Sequence, residues 1–474
     1  MAPVKGLRPS FAAQYSVAAL VATCIVLLVS LFACISPTRA PVKPAPAESG
    51  IPYGSMSAAI AVGKPEEALE AYEKSLAAKP QAADTRILHA RLLMVAGKLG
   101  EARVEFNLIL ADDPKNTDAL YNLSLVAGLD GHPDEQEALL RQVIAVDAGH
   151  PDALAALGDI VLARGDAATA EGYFSKALLR DPVNVPALLG QGDVKALAHE
   201  WKTAEDLYTR AISAEPDYSF AFIDRARVRE SASDNAGAIA DLSKAIALDP
   251  SYSWSYIDRG RLYHAQSELA DAIADFSMAI GLDPDQFESY ALRAEARGLQ
   301  GDAAAAISDW QRVVSLKPSY GAAYEPLAAL AWKIGDWAQA RAAFLHAYEF
   351  DEAEHAYPLC AALCALRQGK PGDVPGIVAP VLDHAPADSW YRDVARYLQD
   401  KSGETPLLAR IDREHNQALR ARMLFYVAVV YRQNGFERIA STYFAQMEGR
   451  GAPGAVETDL LIAEQGRPPA ASGN

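Results

Sequence analysis

The feature that most restricts this chain is a period. Cut every 34 residues from Ser49, it falls into ten units that end at Asp388 without one insertion or deletion. Position 20 of the unit reads Ala68, Ala102, Gln136, Ala170, Ala204, Ala238, Ala272, Ala306, Ala340 and Val374. Position 32 is proline in eight of the ten units, from Pro80 to Pro386, with Ala148 and Glu352 the exceptions. A chain with 28 prolines in 474 residues does not place them so by chance, and a fixed period of this length marks a repeat architecture.

Each unit has the chemistry of two antiparallel helices. Position 15 is glycine at Gly63, Gly97, Gly131, Gly165, Gly301, Gly335 and Gly369, which suits the left-handed residue that ends a helix. The proline at position 32 stops the second helix, because it forces the preceding residue out of the helical region. Position 24 is large in most units, as in Tyr72, Phe106, Phe174, Tyr208, Phe276, Trp310 and Phe344. It lies four residues after the small residue at position 20, on the same helix face, so small and large side chains can interlock.

These marks resemble the tetratricopeptide repeat, and "ALAALGDIVLARGDAATAEGYFSKALLRDP" from Ala153 to Pro182 is the cleanest copy. The resemblance covers residues 49–388 and implies an all-α, right-handed α-solenoid of about ten to eleven helix pairs, since one unit cannot bury its own apolar face. Beyond it, helical patterns continue over 389–466 as a C-terminal cap. With Gly435 taken as position 15, a divergent repeat spans 421–451, and 467–474 is expected to be a disordered tail. Ten Lys or Arg face seven Asp or Glu between Ser389 and Gly451, against the acidic trend of the chain. Arg410, Arg413, Arg420 and Arg422 there read either as a solvated face or as a dock for an acidic partner or anionic headgroups.

One pair of positions varies together. Position 7 is Arg225, Arg259 and Arg293 in repeats six, seven and eight, and position 23 is Asp241, Asp275 and Asp309 in the same three. Their joint appearance predicts an ion pair between the two helices of each repeat. In the family, ligands are commonly gripped by first-helix positions 2, 5, 9 and 12. On this chain those positions give Phe220 and Arg227, then Trp254, Ile257, Arg261 and His264, then Glu295 and Trp332, as candidate partner-binding residues. The family's carboxylate-clamp members carry polar residues at position 5, where this chain has Ile223 and Ile257. A chaperone-tail clamp is therefore not expected.

Composition narrows the function. At a formal charge of −17 the chain lacks the basic surface that neutralises phosphates, so nucleic acid is set aside. Four cysteines are too few for a disulfide framework; Cys360 and Cys364, four apart on one helix face, read as small buried hydrophobes. The nine histidines are scattered without metal-ligand spacing, and neither a phosphate loop nor a nucleophile elbow occurs. The expectation is no enzyme, no cofactor and no metal.

The N-terminus says where such a scaffold works. Lys5 and Arg8 precede a stretch without charge up to Arg39, and "LFAC" ends at Cys34. That motif resembles the lipobox of bacterial lipoproteins, with Cys34 as the acylated residue; Phe32, where smaller residues are usual, is a departure of the kind that spirochaetal lipoboxes tolerate. Residues 1–33 then form the signal segment and 34–48 a proline-rich linker reaching roughly 50 Å at about 3.1 Å per residue. An uncleaved membrane span and an ordinary secretory signal are the other readings of the same stretch. All three place the solenoid outside the cytoplasm, in the cell envelope, at the periplasm or the surface. The combination resembles bacterial tetratricopeptide lipoproteins, which implies a non-enzymatic adaptor for envelope proteins or peptides, bound to the membrane through its N-terminal lipid or span. A solute-binding lipoprotein presenting a small ligand to a transporter is the alternative, and it needs an enclosed pocket. Cys34→Ser should abolish incorporation of labelled fatty acid in the producing cell. A wild-type protein that is never labelled and keeps its first residues would leave "LFAC" as part of a span.

Overall fold

The computed structural model describes residues 53–61, 63–75 and 83–465. The signal segment, Cys34, the proline-rich linker and the tail from 467 lie outside the described residues. Among the described residues all regular structure is helical, in 25 α-helices and two short 3-10 turns. Contacts divide these residues into two compact halves, one up to Leu248 and one from Asp249.

The helices keep the period of the sequence. First helices begin at Ala83, Thr117, Pro151, Val185, Ser219, Ser253 and Phe287, and second helices at Leu99, Pro133, Ala167, Trp201, Asn235, Leu269, Ala303 and Trp337. Asn116 and Asn184 cap the first helices that follow them, accepting from Ala119 N and Ala187 N, and Asp166, Asp302 and Asp336 do the same for second helices. Before the position-32 proline the backbone turns extended, as at Asp113 (φ −135°, ψ 91°) and Asp181 (φ −132°, ψ 94°). The position-15 glycines all have positive φ, and where glycine is absent His199, Ser233 and Ser267 take the same left-handed conformation, with φ of 60°, 66° and 63°. Three consecutive repeats thus accept a backbone state that costs a residue with a Cβ about 1–2 kcal/mol.

Packing follows the small and large columns. The position-20 alanines and the rings of Tyr72, Phe106, Phe174, Phe276 and Phe344 are all fully buried. Room for the rings comes from the first helices: a Cβ on Gly192 would stand 2.5 Å from Tyr208, and one on Gly158 or Gly190 would run into Phe174. Tyr208 also donates its hydroxyl to Asp193 at 2.6 Å. Cys360 and Cys364 are buried free thiols, and burial pushes the Cys360 thiol well up.

Repeats six to eight add a polar layer to this packing. Arg225 donates Nε and Nη2 to Asp241 at 2.9 and 2.7 Å, Arg259 to Asp275 at 2.8 and 2.7 Å, and Arg293 to Asp309 at 2.9 and 2.7 Å. Each is a two-pronged fork across the helix pair. Arg225 and Arg293 also reach back to the preceding second helix, at Thr209 Oγ1 (3.1 Å) and Ser277 Oγ (2.9 Å). Asp241 and Asp309 accept a second arginine each, from Arg229 at 2.9 Å and Arg297 at 2.7 Å, a support that the paired columns alone did not indicate.

Past repeat eight the pattern loosens. Short 3-10 turns at Gly321–Ala323 and Pro371–Asp373 lead into the helices Tyr324–Ile334 and Val374–His384. Trp390–Asp400 and Glu404–Arg413 follow, and then Gln417–Gln433 pairs with Glu437–Met447 through Gly435 (φ 83°), burying Ala440, Phe444 and Met447. The final helix, Val456–Gln465, packs against the first helices Tyr324–Ile334, Ala356–Arg367 and Gln417–Gln433.

Because the Arg259 side chain is 19% exposed and that of Asp275 only 7%, removing one partner strands the other. Arg259→Ala should cost about 3–5 kcal/mol in chemical denaturation. A loss under about 1 kcal/mol, the size of an exposed pair, would contradict the reading.

Candidate functional site

A helix pair that fills its own interior with positions 20 and 24 leaves one face of each first helix for other use. In the second half that face is built from Trp254, Ile257, Arg261 and His264 on Ser253–Ala265, and from Glu295 on Phe287–Gln300. Trp254, Arg261, His264 and Glu295 are half-buried, and Ile257 is buried at 2% exposure, so Ile257 packs inward and leaves the strip to its neighbours. Arg261 has no ion-pair partner among the described residues. His264 Nε2 makes no hydrogen bond, and burial lowers the imidazole pKa, so the positive charge of the strip belongs to Arg261 at neutral pH. Burial raises the Glu295 carboxyl.

Trp332 corrects the sequence expectation. Placed at position 12 for a partner, it is fully buried under the C-terminal helix, donating Nε1 to Glu464 Oε1 at 2.8 Å and meeting Trp337 and Phe425 with ring centroids 5.4 and 6.1 Å away. The groove position is right in register, but the chain itself covers it. The basic C-terminal residues are corrected likewise: Arg410 is held by Asp393 at 2.7 Å and Arg422 by Glu457 at 3.0 Å, which leaves Arg413 exposed and Arg420 half-buried. The four do not form one docking surface.

In the first half the same face is acidic, which single-residue reading missed. Position 9 carries Asp159 and Asp193 in repeats four and five, then Arg227 in repeat six, and Asp224 lies one turn before Arg227. Asp224 is buried and accepts from Arg227 at 3.3 Å, while Phe220 is half-buried with its ring 5.8 Å from Tyr218. Asp159 is exposed on this face, yet the protein around it restricts its solvation and pushes the carboxyl up to about 7. Burial, then repulsion from Asp224, raises Asp193 well above the usual carboxylate range, and the hydrogen bond from Tyr208 opposes this. Reading position 9 as a column would have found Asp159, Asp193 and Arg227, whereas Asp224 stands at position 6. Among the described residues no group of three or more His, Cys, Asp or Glu is placed to hold a metal ion, and no described helix is long and apolar enough to cross a membrane.

Stacked helix pairs whose first helices present an open, chemically mixed face define a helical-repeat binding protein. Families described as tetratricopeptide repeat match residues 59–126, and again 121–185, 155–219 and 223–287. The chain belongs to the tetratricopeptide-repeat proteins, a family that binds protein partners. No curated protein sequence matches it. Among solved structures it is similar to MamA, at 22% identity over 34% of this chain and 95% of that one, with a TM-score of 0.33. It is similar to PilF of Pseudomonas aeruginosa, at 20% over 43% and 92%, TM-score 0.40, and to a tetratricopeptide repeat protein from Parabacteroides merdae, at 22% over 51% and 96%, TM-score 0.38.

Asp159 supplies a pH test. Its carboxyl is raised from 3.8 to about 7 in the folded chain, so between those values the folded state binds the proton that the unfolded state releases, and stability falls as pH rises through that window. Asp159→Asn should raise the denaturation midpoint at pH 8 and leave it unchanged near pH 4. An equal effect at both pH values would contradict the shift.

Proposed function

We propose that this protein is a non-enzymatic adaptor, exported and lipid-anchored at Cys34 in a bacterial cell envelope, that holds a segment of a partner protein on the first-helix face of repeats seven and eight. The observation that supports it best is the sorting of arginines in repeat seven. Arg259, at position 7, is consumed by Asp275, whereas Arg261, two residues on, stands on the groove strip without an ion pair among the described residues. Trp254 lies about two turns before Arg261 and His264 one turn after it, on the same strip. An aromatic ring and a guanidinium on one helix face are the residue types that carry most of the energy of protein interfaces. With Glu295 on the next first helix, the strip matches a segment that offers a carboxylate and an apolar side chain to repeat seven and a donor to repeat eight.

The anchor and linker complete the reading. A lipid on Cys34 and a proline-rich spacer would hold the repeats away from the membrane and keep the groove accessible. Crosslinking and affinity capture from envelopes, with the intact protein and with a Trp254→Ala, Arg261→Ala double variant, test it. The double variant should retain its partner at least about tenfold less well, given losses of roughly 2 kcal/mol for a single hot-spot residue. Unchanged capture would remove the groove assignment.

A further inference from the structure

The last helix among the described residues, "VETDLLIAEQ", carries two carboxylates seven residues apart, Glu457 and Glu464, so both lie on one face two turns apart. That face also holds Val456, Leu460 and Leu461, all buried, while Ile462 on the other side is 68% exposed. Both glutamates are inside the protein, Glu457 at 2% exposure and Glu464 at 0%. A buried carboxylate must be matched. Glu464 accepts from Arg367 Nη1 at 2.8 Å and Nη2 at 2.9 Å and from Trp332 Nε1 at 2.8 Å, and Arg432 donates to its backbone carbonyl at 2.7 Å. Glu457 accepts from Arg422 at 3.0 and 3.2 Å and from the Tyr426 hydroxyl at 2.9 Å.

The cations that receive these carboxylates are held by other groups. Arg367 lies over the rings of Trp332 and Trp337, 4.7 and 4.3 Å from their centroids. Arg432 is bound to Glu437 at 2.8 Å and lies 4.4 Å from the centroid of Phe444, and Arg422 reaches the Tyr391 hydroxyl at 2.9 Å. The site is thus preorganised on first helices that belong to repeats nine, ten and the terminal repeat. Its occupant, by contrast, is a helix of ten residues, too short to persist alone in water, joined through a segment that contains Gly449, Gly451, Pro453 and Gly454.

We infer that the first-helix groove formed by Trp332, Arg367, Arg422, Tyr426 and Arg432 is a binding site for an acidic amphipathic helix with glutamates seven residues apart, filled in this chain by its own Val456–Gln465. The paired glutamates set which helix fits, because a helix without them would leave Arg367 without its carboxylate and Arg422 with only the longer 3.5 Å contact to Glu354. The tether supplies the chain's own helix at an effective concentration in the millimolar range, so a partner helix gains entry only by binding more tightly or when the tether is displaced. This inference does not depend on export or on the strip of repeat seven.

The test uses the full chain. In a Glu457→Gln, Glu464→Gln variant, amide exchange over 456–465 should speed up about 100-fold or more, the scale of a broken buried pair, while exchange over 253–316, away from the groove helices, stays as in the wild type. A fluorescent peptide with the sequence of residues 454–467 should then bind this variant at least about tenfold more tightly than it binds the wild type, and adding Arg367→Ala should abolish the gain. Unchanged protection of the last helix, or an opened helix with no peptide binding, would overturn the inference. Should the variant lose protection over 253–316, the wild-type chain with a protease site inserted between 448 and 455 replaces it. After cleavage of the folded protein the labelled peptide should exchange into the groove, and failure to exchange would overturn the inference equally.

Discussion

Everything in this molecule rests on a ring lodged against two first helices. Phe174 of repeat four meets Gly158 of its own repeat and Gly190 of the next, each at a place where even a Cβ would collide with it. The contact is fully buried, and its counterparts recur at Tyr208 against Gly192 and Phe276 against Gly260. Each ring joins helices that could not bury their apolar faces alone, so the stack forms as a chain of nearest-neighbour contacts. The strictness of the period follows, because a ring can meet its gap only if every repeat has the same length.

That packing leaves a division of labour among polar residues. The arginines and aspartates turned inward between the helices of repeats six to eight are paired with one another, and a buried pair of this kind resists the loss of either partner more than it adds net stability. Charges on the first-helix face are of a different kind. In the first half they are carboxylates close enough to raise one another's pKa, and in the second an arginine two turns along the same helix from a tryptophan. Towards the C-terminus the face is covered by the chain's own last helix. A single repeat scaffold therefore displays surfaces of opposite chemistry without any change in backbone.

The all-α repeat architecture was legible because its signals are local and recur: small and large columns, prolines in phase, and a glycine after most first helices. The joint occurrence of Arg and Asp at two columns pointed to the helix-pair contacts for the same reason. What could not be read has physical causes. Trp332 looked available because its cover, Glu464, lies 132 residues away in sequence, and no periodic pattern reports so distant a contact. Arg422 and Arg410 looked like a basic surface because their partners Glu457 and Asp393 sit on other helices. His199, Ser233 and Ser267 carry no sign of their left-handed backbone, since neither serine nor histidine requires it; only the column they share with glycine reveals it. The acidic residues of repeats four and five were present at position 9 all along, but they emerge only when the repeats are read across rather than along.

The central claim is that partner recognition belongs to the first-helix face and not to the outer surface. Site-specific photocrosslinking in the producing cell tests it most directly, with a crosslinking residue placed at Arg261 in one strain and at Leu179, which is 85% exposed on a second helix, in another. The account predicts a discrete crosslinked partner from position 261 and none from position 179. The same partner at equal yield from both, or a partner from position 179 alone, would contradict it.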